Sequence, residues 1–266
     1  MSSQKQTPKY VFDNAGEQTP SRFSALETLF DAGTFRHFDA LGICPGWRCL
    51  EIGGGSGSVA SWLSDRVGPE GRVVVTDINT RFLVGMDQRN VEVRQHDVVR
   101  DDLERNYYDI AHTRLVLIHL PEREQAIERV ISALKPGGWV LFEEFDMLST
   151  KPDPVIAPAE VFLKTLGVLW EVMRSHGVDH RCGRLLPGML VANDLSEVGA
   201  EGQLHLFKGA SAGSAMLRAN FMQMHDEMIA TGHLTEEEFQ ADLATLDDPA
   251  AMWPHGVMWS VWGRRP

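Results

Sequence analysis

The chain has 266 residues, 43% of them hydrophobic, and a formal net charge of −12 at pH 7. This length and content predict one α/β domain with a substantial core, with or without a cap. An acidic chain without a basic run is a poor partner for nucleic acid or an anionic membrane, so we expect a small neutral or cationic ligand. Three cysteines without metal-ligand spacing, and no long apolar run, predict a cytoplasmic protein without a metal site.

Residues 1–44 are predicted to form a helical arm ahead of the sheet. Thr19-Pro20 is typical of a helix start, with Thr as the N-cap and Pro at the first helical position. The apolar spacing predicts one helix that carries Phe23 and Phe30, and a second short helix that ends at Gly42. Because the arm precedes the sheet, it is free to fold over the ligand-binding edge as a lid.

The segment Glu51–Gly57 follows the pattern of a buried strand and precedes a helical pattern. Gly53, Gly55 and Gly57 allow positive φ, and the next helix points free N–H groups at the turn. The glycine spacing also fits the dinucleotide pattern G-x-G-x-x-A, so the glycines alone do not identify the ligand. Glu51 favours a ligand with a cationic centre, because a carboxylate at the strand end repels a pyrophosphate.

A strand–helix alternation continues after the glycine turn. Strands are predicted at 72–77, 91–95, 109–113 and 139–142, with helices after Asn79, from Leu115 and over 121–134. This alternation predicts a parallel, doubly wound sheet that binds ligands beyond the carboxyl ends of its strands. Those ends, which should meet at one crevice, are Gly53–Gly57, Asp77, Asp97, Thr113–Arg114 and Glu143–Asp146.

The segment 151–266 is predicted to hold cap helices and to complete the sheet. Helical patterns cover 157–176, 183–195 and 215–229, and Thr235 opens a further helix with a capping box. Segments 201–207 and 256–263 read as strands that pair as an antiparallel edge. We therefore expect a single α/β domain with a Rossmann-like sheet of about seven strands: an arm at 1–44, a core at 45–150, and a helical cap with the sheet edge at 151–266.

Four motifs stand in an order and at separations that resemble the class I S-adenosylmethionine-dependent methyltransferases: Glu51–Gly57, Asp77, His96-Asp97 and Leu134–Gly138. The resemblance covers residues 45–146, and the flanking segments are similar in layout to the small-molecule members of that family. It implies S-adenosylmethionine as the cofactor, S-adenosylhomocysteine as the product and a small-molecule methyl acceptor.

The resemblance also implies a role for each strand end. Glu51 and the glycine turn would hold the methionine half of the cofactor, Asp77 the ribose hydroxyls and Asp97 the adenine amino group. The full implied set is Glu51, Gly53, Gly54, Gly55, Gly57, Asp77, Ile78, Asp97, Val98, Thr113 and Arg114. An ion pair of Arg114 with an acid such as Glu51 is an equal alternative. His112, on a buried strand, is expected to be a hydrogen-bonded core histidine rather than a base.

The acceptor is predicted to be a small hydrophobic metabolite, aromatic or heteroaromatic, because the arm and the cap are rich in apolar, aromatic and Met residues. Candidate acceptor contacts are Tyr10, Phe23, Glu144 and Trp170. An O–H or N–H nucleophile could need a base, for which the candidates are Glu144, Asp146 and His225.

Two other functions stay open at this point: a nicotinamide-dependent oxidoreductase on the same fold, and a non-catalytic S-adenosylmethionine-binding protein. The sequence also leaves the oligomeric state open, with a homodimer as one option.

Overall fold

The computed structural model describes residues 19–149 and 160–266. Seven strands in this part of the chain form one sheet. They are β1 (Arg48–Ile52), β2 (Arg72–Asp77), β3 (Val91–Gln95), β4 (Tyr108–Arg114), β5 (Leu134–Asp146), β6 (Ser196–Lys208) and β7 (Met252–Arg264). The strand order is β3-β2-β1-β4-β5-β7-β6.

Pairing in the sheet is parallel from β3 to β5 and antiparallel where β7 pairs with β5 and β6. The predicted fold class, a mostly parallel Rossmann-like sheet with an antiparallel edge, is therefore confirmed. Glu51 on β1 lies opposite His112 on β4, and Arg114 on β4 lies opposite Glu143 on β5. This register brings four charged or titratable side chains to one edge of the sheet.

Helices cover both faces of the sheet and bury a hydrophobic cluster against each one. They are α1 (Thr19–Ala40), α2 (Ser58–Val67), α3 (Arg123–Ala133), α4 (Glu160–Ser175), α5 (Cys182–Ala192), α6 (Ala212–Ala230) and α7 (Glu236–Asp247). The predicted capping box at Thr235 is confirmed at the start of α7. Within the described ranges, no helix has the length and apolar character that crossing a membrane requires.

The prediction of two helices in the N-terminal arm is wrong, because α1 runs unbroken from Thr19 to Ala40. Gly33, inside this helix, lies against β6, where an added Cβ would be 3.2 Å from the Gln203 side chain. A glycine in this helix therefore allows a close approach to the sheet rather than a break.

The helices predicted after Asn79 and from Leu115 shorten to single 3₁₀ turns, Thr80–Phe82 and Leu117–His119. Leu115 has a positive φ of 57°, which interrupts a helical path between β4 and the second turn. The carboxyl ends of β2 and β4 are therefore followed by short turns rather than by full helices.

The C-terminal helices and α1 meet above the carboxyl ends of the strands. Helix α1 packs on α6, while α4 packs on both α6 and α7. The sheet continues from the predicted core into the C-terminal segment, since β5 pairs with β7. The cap and the core therefore share one sheet, and a space is enclosed between them.

Candidate functional site

A cavity of about 740 Å³ lies over the carboxyl ends of the parallel strands. One end of it is formed by the glycine turn, Asp77 and the start of the segment after β3. The other end extends between α4, α6 and β7. This volume is typical of a small-molecule site.

The turn at Gly53–Gly57 forms one wall of the cavity. The N–H groups of Gly53 and Gly54 both donate to the Thr76 carbonyl, at 2.8 and 3.0 Å. Gly53 has a φ of 71°, and an added Cβ would lie 2.3 Å from Val116 Cγ2. Gly53, Gly54 and Gly55 line the cavity, whereas Gly57 packs against Met86 at the start of α2.

Asp77 lies between the glycine turn and the cavity. Its Oδ2 accepts a hydrogen bond from the Gly55 N–H at 3.1 Å, and its Oδ1 accepts one from the Asn79 N–H at 2.9 Å. Burial raises the pKa of this carboxyl, while these N–H donors act in the opposite direction. Ile78, half exposed, lines the cavity beside it.

The segment after β3 closes the same end of the cavity. His96, Asp97 and Val98 all line it. Asp97 Oδ1 accepts a hydrogen bond from the Val99 N–H at 2.9 Å, and the Asp97 N–H donates to Asp101 at 2.8 Å. These bonds hold the backbone of the segment against the cavity.

The predicted residues on β1 and β4 differ in their access to the cavity. Glu51 and Arg114 line it, but Thr113 is buried behind its wall. The Arg114 guanidinium donates to Asp31 at 2.7 Å and to the Thr34 hydroxyl at 2.9 Å. Arg114 therefore forms an ion pair, which was the alternative predicted from the sequence, but its partner is Asp31 on α1 and not Glu51.

The structure brings none of the three candidate bases to the cavity wall. Glu144 points to the segment after β4, where its Oε1 accepts hydrogen bonds from the N–H groups of Val116 and Leu117 at 2.9 and 2.7 Å. Burial raises the pKa of Glu144 to about 8, so the carboxyl is mainly protonated at neutral pH. Because Glu144 is buried and does not line the cavity, the expectation that it contacts the acceptor is corrected as well.

Asp146 and His225 are engaged elsewhere. Asp146 is fully buried and accepts two hydrogen bonds from the Arg184 guanidinium, at 2.6 and 2.8 Å. His225, on the outer side of α6, lies 2.8 Å from both Asp226 and Glu236. Neither side chain is therefore placed to take a proton from a molecule in the cavity.

The far end of the cavity is mainly apolar, and α4, α6 and β7 supply most of its wall. Of the predicted acceptor contacts, Trp170 lies at this end, Phe23 lines the cavity at the other end beside Gly55, and Tyr10 lies outside the described residues. The other residues here that line it include Phe145, Met147, Leu166, Leu169, Met173, Met216, Leu217, Asn220, Trp253 and His255.

Asn220 and His255 are among the cavity-lining residues that reasoning from sequence missed. Buried Asn220 Oδ1 and His255 Nδ1 have no hydrogen-bond partner within the described residues. Burial, with His205 nearby, lowers the pKa of His255 to about 4, so its ring is neutral at neutral pH. The Met-rich pattern of 215–229 indicated a cap helix, but nothing local marked these two polar atoms.

The family profile described as a methyltransferase domain matches residues 16–203, which include the glycine turn, Asp77 and Asp97. The chain belongs to the class I S-adenosylmethionine-dependent methyltransferases. The resemblance inferred from the four motifs is therefore confirmed, and S-adenosylmethionine is the cofactor of this methyltransferase family.

Curated relatives include the ubiquinone/menaquinone biosynthesis C-methyltransferases UbiE. The chain is 32% identical to that of Laribacter hongkongensis over 145 residues, which cover 50% of this chain and 59% of the relative. It is 29% identical to that of Vibrio parahaemolyticus over 189 residues, 65% of each chain. The matched region thus spans less than two thirds of these relatives' length.

Solved structures share the fold of this methyltransferase chain. Phosphoethanolamine N-methyltransferase 2 of Haemonchus contortus, in complex with phosphomonomethylethanolamine and S-adenosylhomocysteine, gives a TM-score of 0.62 at 15% identity, covering 100% of this chain and 61% of that one. The YcgJ protein of Bacillus subtilis gives a TM-score of 0.55 at 18% identity, and the match covers 92% of this chain and 98% of YcgJ.

The described residues fit the family's cofactor. At Gly53 and Gly54 bare backbone faces the cavity, and Asp77 presents a carboxylate beside it, which suits an amino-acid chain and a pair of ribose hydroxyls. Over residues 19–149 and 160–266, no three His, Cys, Asp or Glu side chains are grouped so that they could hold a metal ion.

We predict that Gly53→Ala disrupts the cofactor end of the cavity. The new methyl group would overlap Val116, and alanine is strained at a φ of 71°. Gly42→Ala is the matched control, because Gly42 has a φ of 77° but no atom within 4 Å of an added Cβ. Both variants should lower the free energy of unfolding by about 1–2 kcal/mol, because alanine is strained at a positive φ. Gly53→Ala should lower it by about 1–3 kcal/mol more, because of the overlap with Val116. Denaturant unfolding measures the difference, and equal unfolding midpoints for Gly53→Ala and Gly42→Ala would contradict the prediction.

We predict that Glu144 makes stability depend on pH. Its pKa rises on folding from 4.5 to about 8, so the folded protein holds a proton that the unfolded chain releases. Wild-type stability should fall as the pH rises between those values, by at most ~1.4 kcal/mol per pH unit. In Glu144→Gln this part of the slope should be lost.

The measurement is urea unfolding from pH 5 to pH 8. Glu128→Gln, an exposed change on α3, is the control and should keep the wild-type slope. A parallel slope in Glu144→Gln and the wild type would show that Glu144 is not protonated in the folded protein.

Proposed function

We propose that this protein transfers the methyl group of S-adenosylmethionine to a small, mainly apolar acceptor. One observation carries the proposal: a single cavity joins the glycine turn and Asp77 to an apolar space between α4, α6 and β7. The cofactor supplies an electrophilic methyl group when it is bound. The protein then has only to hold a nucleophile in line with that group and to exclude water.

The cofactor end of the cavity supports the roles that the resemblance implied. Backbone at Gly53–Gly55 would hold the methionine half together with Glu51, and Asp77 would accept hydrogen bonds from the ribose hydroxyls. Ile78 would lie against the adenine, and the segment Asp97–Val98 would bind its edge. Gly57 and Thr113 would support the site by packing, since neither lines the cavity.

The far end of the cavity favours a flat apolar acceptor. Its wall includes Trp170, Phe145 and five Met or Leu side chains of α4 and α6, namely Leu166, Leu169, Met173, Met216 and Leu217. Aromatic and Met side chains pack well on irregular or planar apolar groups. The C-methyltransferase names of the UbiE relatives agree with an electron-rich carbon as the nucleophile.

Two polar atoms in this apolar space indicate what else the acceptor carries. Asn220 Oδ1 is a hydrogen-bond acceptor, and Nδ1 of a neutral His255 can accept as well. A buried polar atom without a partner costs free energy, so a ligand that supplies the missing hydrogen bonds is favoured. We therefore infer an aromatic acceptor that bears a hydroxyl or another donor group.

The His255 ring packs against two aromatic side chains, which restrict where its Nδ1 atom can lie. Its ring centroid lies 4.6 Å from that of Phe145 and 4.7 Å from that of Phe207. When a hydroxylated aromatic carbon is methylated, the ring must later release a proton. A neutral imidazole that accepts the hydroxyl hydrogen bond is suited to stabilise the charge that develops.

We predict that the protein binds S-adenosylhomocysteine and not NAD, and that Asp77→Asn weakens this binding by about 1–3 kcal/mol. The reason is that Asn lacks the charge for strong hydrogen bonds with the ribose hydroxyls. Asp39→Asn, at an exposed carboxylate of α1, is the control. Calorimetry measures all three proteins, and unchanged affinity in Asp77→Asn would contradict the assignment.

We predict that the protein loaded with S-adenosylhomocysteine prefers 1-naphthol to 1-methoxynaphthalene by roughly tenfold, because only the former can donate to His255 or Asn220. His255→Phe should abolish most of this preference. His205→Phe, in the same aromatic cluster but outside the cavity wall, should keep it. Fluorescence titration measures the affinities, and equal affinities in the wild type would contradict the prediction.

Methyl transfer itself is tested by turnover. Incubation with methyl-labelled S-adenosylmethionine and a panel of hydroxylated aromatic compounds should label an organic product. Binding of the cofactor without turnover on any member of the panel would favour a non-catalytic binding protein.

A further inference from the structure

A set of buried polar side chains connects the cofactor end of the cavity to α1. Its centre is His112, which has no solvent exposure. The Nδ1 atom of His112 lies 2.6 Å from Glu51 Oε2, and Nε2 lies 3.3 Å from Glu143 Oε2. A ring that donates a hydrogen bond to a carboxylate on each side carries a proton on both nitrogens and is therefore a cation.

The two carboxylates account for a charged ring in the core. Burial disfavours the charge on His112, but Glu51 and Glu143 outweigh it and raise the pKa of His112 to about 9. Burial likewise opposes ionisation of Glu143, but His112 and Arg114 lower its pKa to about 2. His37 on α1, whose pKa is lowered by burial, also lies close to this cluster, as do the Arg36 guanidinium near Glu143 and the Cys49 thiol near Glu51.

The far side of the cluster reaches α1 and β7. Glu143 accepts hydrogen bonds from the Thr34 hydroxyl on α1 and from Ser260 on β7, the latter at 2.6 Å. Arg114 donates to Thr34 and to Asp31, one turn earlier on α1. Helix α1 also carries Phe23 and Leu26 into the cavity wall. The position of α1 is thus tied to the same carboxylates that hold His112.

We propose that His112 is a positioning residue that holds the Glu51 carboxylate at the methionine end of the cofactor site, and that Glu143 ties this arrangement to α1. The inference rests on the proposed function, because it takes the group bound by Glu51 to be the ammonium group in the amino-acid half of the cofactor. Glu51 lines the cavity, while its Oε2 is fixed by His112 from behind. A carboxylate held in one rotamer loses little conformational entropy when it binds an ammonium group.

The positioning role of His112 can be tested with two ligands that share the nucleoside and differ in the amino-acid half. S-adenosylhomocysteine has the amino-acid half, whereas 5′-methylthioadenosine lacks it but keeps the nucleoside that Asp77 and Ile78 would bind. If His112 positions Glu51, the loss of that positioning should weaken the binding of S-adenosylhomocysteine alone. General damage to the fold should weaken the binding of both ligands.

Two substitutions of His112 form a matched pair. In His112→Asn the amide nitrogen takes the place of Nδ1 and keeps the hydrogen bond to Glu51. In His112→Gln the amide nitrogen takes the place of Nε2, which keeps the bond to Glu143 and loses the one to Glu51. Both variants remove the ring and its charge, so they differ mainly in which carboxylate remains held.

Calorimetry should show that His112→Gln binds S-adenosylhomocysteine about tenfold more weakly, with a change of less than about twofold for 5′-methylthioadenosine. His112→Asn should recover most of the lost affinity. The proposal is overturned if His112→Gln weakens both ligands equally or neither of them, or if His112→Asn is no better. A wild-type protein that binds neither ligand would overturn the proposed function as well.

If the His112 variants do not fold, the proposal can be tested by NMR on the wild-type protein. The proton between His112 Nδ1 and Glu51 should give a far-downfield NMR signal, because it lies in a short charge-assisted hydrogen bond. S-adenosylhomocysteine should shift this signal and 5′-methylthioadenosine should leave it in place. Equal shifts with both ligands, or none with either, would overturn the proposal.

Discussion

The hydrogen bond from the Gly55 N–H to the Asp77 carboxylate is the contact on which the cofactor end of the cavity depends. It joins the turn after β1 to the end of β2, and the Gly53 and Gly54 N–H groups add two bonds to the Thr76 carbonyl. The turn therefore lies flat on the neighbouring strand. No side chain fits there, since a Cβ at Gly54 would be 2.2 Å from Val75. Bare backbone and one carboxylate are left facing the cavity.

Parallel strands collect their carboxyl ends at one edge, and in this chain that edge is rich in acids. The structure accommodates them in different ways. Glu51 and Glu143 share a cationic His112, Asp146 is paired with Arg184, and Glu144 holds a proton. Neighbouring residues of a strand point to opposite faces of the sheet, so Glu143 and Glu144 meet different surroundings. Buried charges without such partners would be strongly destabilising.

The apolar end of the cavity is built from parts of the chain that are distant in sequence. Helix α4 contributes Trp170, α6 contributes Met216, and β7 contributes His255. Each lies on an element that the predicted core does not contain. The core thus accounts for the cofactor end, while the cap forms the space that would select the acceptor. The arm belongs to the cofactor end, where Phe23 lies beside Gly55 and Asp31 and Thr34 contact Arg114 and Glu143.

The sequence by itself determined the strand–helix alternation, the glycine turn and the acid at the end of β2, because hydrophobic period and turn chemistry are local properties. It also indicated the antiparallel edge and the capping box at Thr235. Only the tertiary structure decided that α1 is one helix, that Glu144 faces away from the cavity, and that Asn220 and His255 face an apolar space. These depend on contacts between residues far apart in the chain, such as Gly33 with Gln203, which no local pattern encodes.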